Sequence, residues 1–161
     1  HIHYLPESAH CPQLFRNPKT GDIWLAERNR DRIWIFDDDL NIKKQIILGD
    51  SLTPVYLPDP RHRLVHGEFV VFEKGKHYEA FESCFLTSRY IYLSYVGTDT
   101  FDEEKPMGVH VLRFDYDGRR VCDYVLDERI TSISVDSDDR YLYGLHKTRE
   151  HKTELWKYKL K

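Results

Sequence analysis

A pair of short strands is repeated three times along this chain, and the repeat limits the folds that the chain can adopt. In each copy a hydrophobic and aromatic strand is followed by a second aromatic strand, which usually ends at an Asp turn. The pairs are Ile23-Trp24-Leu25-Ala26 with Ile33-Trp34-Ile35-Phe36, Ile91-Tyr92-Leu93-Ser94 with Val111-Leu112-Arg113-Phe114, and Leu142-Tyr143-Gly144-Leu145 with Leu155-Trp156-Lys157-Tyr158. Short strands that recur at a period of roughly 40 residues are typical of β-propellers. We therefore predict an all-β protein of the β-propeller class.

Within a copy, the pattern predicts four antiparallel strands. In the second copy these are Cys84 to Thr87 innermost, then Tyr90 to Val96, Val109 to Asp115, and Arg120 to Leu126 outermost. The dipeptide Asp117-Gly118 separates the last two strands and predicts a type I′ hairpin turn, because that turn requires positive φ.

The repeat predicts about three propeller blades within one domain that spans residues 1–161. The predicted blades are 12–48, 79–127 and 128–161. The segment 49–78 is rich in proline and contains one convincing strand, Glu68 to Glu73; a long insertion between blades is favoured over a degenerate blade. Because known propellers close with about four to eight blades, we expect the chain to be the C-terminal half of a larger propeller. The alternative is a ring that closes between subunits through an incomplete last blade.

Composition argues against two classes of partner. The formal net charge is −3, with charged residues of both signs, so neither a nucleic-acid footprint nor a polybasic membrane patch is indicated. No apolar run approaches the roughly 18 residues of a membrane span. Cys11, Cys84 and Cys122 are odd in number and widely spaced, which favours small buried hydrophobes; one disulfide is the alternative if the protein is exported.

The C-terminal half contains several short sequence motifs that are moderately specific when they occur together. They are Arg89-Tyr90-Ile91-Tyr92-Leu93, Gly108 to Gly118, Tyr124-Val125-Leu126-Asp127, Ile130 to Asp136, Tyr141-Leu142-Tyr143 and Leu155-Trp156-Lys157-Tyr158. Together they resemble the TolB-like six-bladed propeller proteins of Bacteroides-type bacteria. Propellers with NHL-like repeats contain similar motifs. The resemblance implies a six-bladed domain of roughly twice this length without a settled biochemical activity. It also implies export to the periplasm or cell surface, with any lipid anchor in a segment that precedes this chain.

Clusters of acidic residues occur where the repeat predicts turns. They are Asp37-Asp38-Asp39, Asp102-Glu103-Glu104, Asp115 with Asp117, and Asp136 with Asp138 and Asp139. Carboxylates at alternate positions could bind calcium, but none of these clusters has the full calcium-loop pattern. Asp also stabilises tight turns by accepting hydrogen bonds from nearby backbone, and we favour that role.

The repeat predicts structural roles for two histidines and for several aromatic residues. His110 and His146 lie in predicted strands and are expected to be satisfied structural residues, whereas a zinc site at His1, His3, His10 and Cys11 is the less favoured alternative for the terminus. Trp24, Tyr92 and Tyr143 occupy equivalent positions, as do Trp34, Leu112 and Trp156, which indicates packing between blades.

The favoured function is non-enzymatic binding of a protein or glycan through inter-strand loops, especially Ser51 to Tyr78 and Gly97 to Met107. The candidate ligand-binding residues are Tyr56, Arg61, His62, Arg63, His66, Tyr78 and Phe101. We nominate no catalytic residue, metal ligand or cofactor. The alternative is a polysaccharide hydrolase or lyase acting at the propeller channel. The inner strands supply Ser83, Thr87, Ser132 and Ser134 there, but we expect no clustered His or carboxylate, so binding is preferred.

Overall fold

The fold is all-β in a computed structural model that describes residues 12–49, 56–64, 67–72, 78–99, 109–148 and 152–161. The first sheet contains β1 (Gln13–Arg16), β2 (Ile23–Ala26), β3 (Arg32–Phe36) and β4 (Ile42–Ile47). A two-stranded hairpin follows, with β5 (Tyr56–Leu64) and β6 (Gly67–Phe72). The second sheet contains β7 (Tyr78–Leu86), β8 (Tyr90–Asp99), β9 (Val109–Asp115) and β10 (Arg120–Leu126). The third sheet contains β11 (Ile130–Val135), β12 (Tyr141–Lys147) and β13 (Thr153–Lys159).

Each sheet is an antiparallel meander in which strands adjacent in sequence are also hydrogen-bonded. Residues alternate between the two faces of a strand, so the apolar pattern decides which face is buried. In the first sheet Trp24 pairs with Ile35 and Ala26 pairs with Ile33, and all four side chains lie on one buried face. The predicted strands therefore form because every second residue can leave water.

The second sheet packs between the first and the third, which gives two hydrophobic cores. The core between the first and second sheets contains Trp24, whose ring centroid lies 6.3 Å from that of Phe114. The core between the second and third sheets contains Tyr92, Ile133 and Leu142. Trp24 and Tyr92 are fully buried, as their equivalence in the repeat predicted.

The first strands of the three larger sheets, β1, β7 and β11, lie side by side, with β7 in the middle. β7 and β11 run in the same direction, since the residues that begin β7 meet those that precede β11, and Arg89 after β7 meets Asp139 after β11. β1 ends at the same end as β7, because Asn17 donates to the carbonyl of Tyr116, whose hydroxyl donates to the carbonyl of Thr87. The assembly therefore has two ends. We call the end with the β1–β2, β7–β8 and β11–β12 connections the turn end, and the opposite end the loop end.

Three turns at the turn end share one design. Asp37, Asp115 and Asp136 each use Oδ1 to accept two backbone N–H bonds from residues that follow, at 2.7–3.0 Å. The fourth residue of each turn has positive φ: Leu40 (64°), Gly118 (76°) and Asp139 (56°). These acidic residues thus have the predicted turn role, while Asp102-Glu103-Glu104 lies outside the described residues.

The type I′ prediction at Asp117-Gly118 is wrong. Only Gly118 of the pair has positive φ, and its N–H donates to the carbonyl of Asp115 at 3.1 Å. The loop is one residue longer than that of a two-residue hairpin, because the Asp115 carboxylate organises the backbone from Asp115 to Arg119.

The described residues between the first two sheets form two strands, so the prediction of a single strand at Glu68 to Glu73 missed β5. Pro58 and Pro60 lie within β5, and the pairing register shifts between Pro58 and Arg63. Proline is tolerated there because both strands of a two-stranded sheet are edges, where a missing N–H need not interrupt a ladder. The first and second sheets pack directly on each other, and the hairpin lies between them only in sequence.

Two further findings concern cysteine and the membrane. Cys84 and Cys122 are free thiols, and Cys11 lies outside the described residues. Burial raises the pKa of the Cys84 thiol.

No part of the described chain forms an apolar helix long enough to span a bilayer.

Candidate functional site

Four charged side chains from all three sheets meet at the loop end; we call them the charged network. The carboxylate of Glu79 on β7 is shared by two guanidinium groups: Arg28 Nη2 lies 3.0 Å from Oε1, and Arg129 Nη2 lies 2.6 Å from Oε2. The same Arg129 nitrogen lies 3.2 Å from Oε1 of Glu82. Glu79 is therefore the hub of an ion-pair network that joins the three sheets.

Backbone contacts set the position of each member. Arg28 lies in the β2–β3 connection, where its carbonyl accepts a 2.6 Å hydrogen bond from the N–H of Ala80, the residue after Glu79. Gln13 on β1 donates from Nε2 to the carbonyl of Glu82 at 3.2 Å. These bonds hold β7 against the first sheet. Because the backbone of Arg28 already lies next to Glu79, ordering the Arg28 side chain in the ion pair costs little conformational entropy.

On the third sheet, Arg129 immediately precedes β11. Nδ1 of His146 on β12 lies 2.8 Å from the Arg129 carbonyl oxygen, so the imidazole orients the backbone that carries the guanidinium. His110 on β9 is also satisfied, with Nδ1 2.8 Å from Oδ1 of Asp123 on β10. Both histidines thus have the structural environment that the sequence predicted.

Acidic and basic members of the network differ in exposure. The side chains of Glu79 and Glu82 are 9% and 12% exposed, whereas those of Arg28 and Arg129 are 42% and 26% exposed. Burial raises the pKa of Glu82; the charge of Arg129 opposes this shift and the charge of Glu79 adds to it. The carboxylates therefore lie beneath guanidinium groups that reach the solvent.

The β2–β3 connection shows the same arrangement beside the network. Glu27 is buried, accepts a 2.7 Å hydrogen bond from Nε1 of Trp34 and lies 3.7 Å from Nε of the more exposed Arg30. Asp31 is also buried, and its Oδ2 accepts a hydrogen bond from the Gly49 N–H at 3.1 Å. Buried carboxylates thus continue along this connection, again with an arginine towards solvent.

The candidate binding residues predicted from the sequence lie on segments that start from the loop end of the molecule. Tyr56, Arg61, His62 and Arg63 lie on β5, and Tyr78 is the first residue of β7. The chain leaves β4 and enters β7 at the loop end, so both connections of the hairpin start there. His66, Phe101 and the possible zinc ligands His1, His3, His10 and Cys11 lie outside the described residues.

The first strand of the second sheet is longer than the sequence analysis predicted. That prediction began the strand at Cys84, whereas β7 begins at Tyr78 and therefore also carries Glu79 and Glu82. The spacing of these two glutamates was visible in the sequence, but their arginine partners lie about 50 residues away on either side. Pattern alone has no signal for such pairs, because ion pairing across sheets has no period.

The charged network has the chemistry of a binding site for charged groups. Guanidinium groups present several N–H donors in a plane and bind carboxylates, sulfates or phosphates in pairs of hydrogen bonds. Within the described ranges, no three His, Cys, Asp or Glu side chains are grouped so that they could hold a metal ion. Comparison with protein-family models and with curated proteins finds no match to this chain.

Proposed function

We propose that this chain belongs to an exported β-propeller of the TolB-like six-bladed type and acts as a binding protein for a protein or glycan. In this proposal the three larger sheets are blades, and β1, β7 and β11 line the channel. The side-by-side packing of antiparallel meanders supports it, as does the direct contact between the first and second sheets, which leaves no room for a degenerate blade at the hairpin. The family and the periplasmic or surface location rest on the resemblance described above.

One observation carries the position of the binding site: the loop ends of the three larger sheets converge on the charged network. Arg28 comes from the first sheet, Glu79 and Glu82 from the second, and Arg129 from the third. The two long connections, the hairpin segment and residues 100–108, also begin and end at this end. A ligand bound there would contact all three larger sheets.

The hairpin provides a test of this site. We expect the triple variant Arg61→Ala/His62→Ala/Arg63→Ala to lose binding to an array of purified glycans and immobilised extracellular proteins. Its melting temperature should stay close to that of the wild type, because the two described cores are built from the larger sheets. Arg119→Ala/Arg120→Ala, in exposed positions at the turn end, is the matched control and should bind normally. Full binding by the triple variant would contradict a site that includes the hairpin.

A polysaccharide hydrolase or lyase is the second candidate, and one observation favours it. Glu82 is a largely covered carboxyl with a raised pKa close to a second carboxyl, Glu79, which is how a general acid can be kept protonated. Both carboxyls are engaged by arginine, however, and this favours binding over proton transfer. Release of reducing ends or unsaturated products by the wild type, lost in Glu82→Gln, would reverse this preference.

A further inference from the structure

The two described cores join the three larger sheets in the same order of faces. We call the side of each sheet that carries Trp24, Tyr92 or Tyr143 its forward face, and the opposite side its backward face. The forward face of the first sheet packs on the backward face of the second, where Ile91 lies. The forward face of the second sheet packs on the backward face of the third, which carries Leu142. Each interface therefore joins the forward face of one sheet to the backward face of the next.

The forward face of the third sheet is much less buried than its equivalents. Leu155 pairs with Leu145 beside Tyr143, and Leu155 is 70% exposed. Ile33 and Val111 occupy the equivalent positions of the first and second sheets, and both are fully buried. Because these three residues are all branched and aliphatic and lie at the same strand position, the difference comes from what packs on the face. A face built like those of the two cores is therefore open to solvent.

The backward face of the first sheet is open in the same way. Leu14 on this face is 64% exposed, whereas Leu112 and Phe114 on the same face of the second sheet are buried in a core. Contiguous apolar patches on a protein surface mark interaction sites. The apolar members of this face, connected by strand pairing, are Leu14, Leu25, Trp34, Phe36, Ile42 and Ile47.

We propose that the two open faces bind each other between two copies of this chain. The forward face of the third sheet then packs on the backward face of the first sheet of the second copy. The partner follows from the two cores, since each open face lacks the kind of face that the other one presents. The same contact forms twice in the dimer, because each copy contributes one face of each kind. This association does not depend on the ligand proposed above.

The number of sheets also favours two copies. Each copy contributes three larger sheets, so two copies supply six. Known propellers close with about four to eight blades, so one copy has too few sheets to close a ring and three copies have too many. Contacts between unlike faces stop at a closed ring when the rotation allows it, which limits the assembly to a dimer.

Size-exclusion chromatography with light scattering can test the dimer on the full chain over a dilution series. We expect the mass of two chains, with a dissociation constant in the micromolar range or below. Leu155→Asp and Leu14→Asp, one on each open face, should each weaken the dimer about a hundredfold, because each places a charge in both contacts. Val125→Asp is the matched control, since Val125 is as exposed as Leu155 but lies on β10, outside both open faces. It should dimerise like the wild type.

Circular dichroism of each variant establishes that its strands are retained. A wild type that is monomeric at about 100 μM would overturn the second copy as the partner and leave further sheets of a longer polypeptide as the occupant of both faces. A dimer that only one of the two open-face variants weakens would overturn the pairing of unlike faces. Equal weakening by Val125→Asp would overturn the assignment of the contact to these faces. The glycan and protein binding test of the hairpin variant is read separately, so failure of the dimer leaves the proposed function standing.

Discussion

The hydroxyl group of Tyr92 donates a 3.0 Å hydrogen bond to Oδ1 of Asp139, which connects the second sheet to the third at the turn end. The other carboxylate oxygen of Asp139 accepts a 2.8 Å hydrogen bond from Nε of Arg89. Tyr92 and Asp139 are both buried, so the bond satisfies two groups that water cannot reach. It fixes the turn end in the same way as the charged network fixes the loop end.

Tyr92→Phe should lower the free energy of unfolding by about 1–2 kcal/mol, because the buried Asp139 carboxylate loses a donor while the ring is retained. Urea denaturation measures this loss. Tyr143→Phe is the control, since Tyr143 occupies the equivalent position of the third sheet but is only half-buried, and it should change stability by less than about 0.5 kcal/mol. Equal effects of the two substitutions would mean that the Tyr92 hydroxyl is not a specific connection.

The two glutamates of the charged network should differ in their contribution to stability. Glu79→Gln removes the carboxylate that two arginines share and should cost about 2 kcal/mol. Glu82→Gln removes one contact to Arg129, which still pairs with Glu79, so the loss should be about 1 kcal/mol or less. Urea denaturation of both variants at pH 7 makes the comparison.

The pH dependence of Glu82→Gln has a predicted sign. Because the pKa of Glu82 is raised in the native state, the native protein takes up this proton at a higher pH than the unfolded chain. The resulting stabilisation is complete below the unfolded pKa and is lost as the pH rises through the native pKa. The stability of the wild type relative to Glu82→Gln should therefore decrease from pH 4 to pH 7, and an increase over this range would contradict the raised pKa.

Gly144→Ala should destabilise the third sheet by about 1–3 kcal/mol through overpacking. A Cβ at position 144 would come 2.7 Å from Cγ2 and 2.8 Å from Cδ1 of the fully buried Ile130. Ile130→Ala removes both of these atoms, so Gly144→Ala should cost much less in that background. A double-mutant cycle by urea denaturation gives the coupling between the positions. The same cost in both backgrounds would locate the strain in the backbone rather than at Ile130.

Much of the strand content could be predicted from residue order. The alternation of apolar residues placed β2, β3, β8, β9 and β12 close to their observed bounds, and the burial of Trp24 and Tyr92 followed from their equivalence in the repeat. β5 was missed because Pro58 and Pro60 argue against a strand wherever a ladder must continue on both sides, and a free hairpin lacks that constraint. The turn geometry at Asp117-Gly118 was also predicted wrongly, because it is decided by a side chain that precedes the dipeptide and accepts hydrogen bonds from the backbone of the turn.

Local pattern therefore sufficed for properties that depend on neighbours in sequence: the all-β class, most strands, and the turn role of Asp37, Asp115 and Asp136. Tertiary structure alone decided which charges meet, since Glu79 finds Arg28 and Arg129 only after β7 packs between β1 and β11. Strand periodicity comes from the backbone and is visible in any short window. Ion pairs between sheets depend on the packing of whole sheets, so the charged network appears only when the sheets are placed in space.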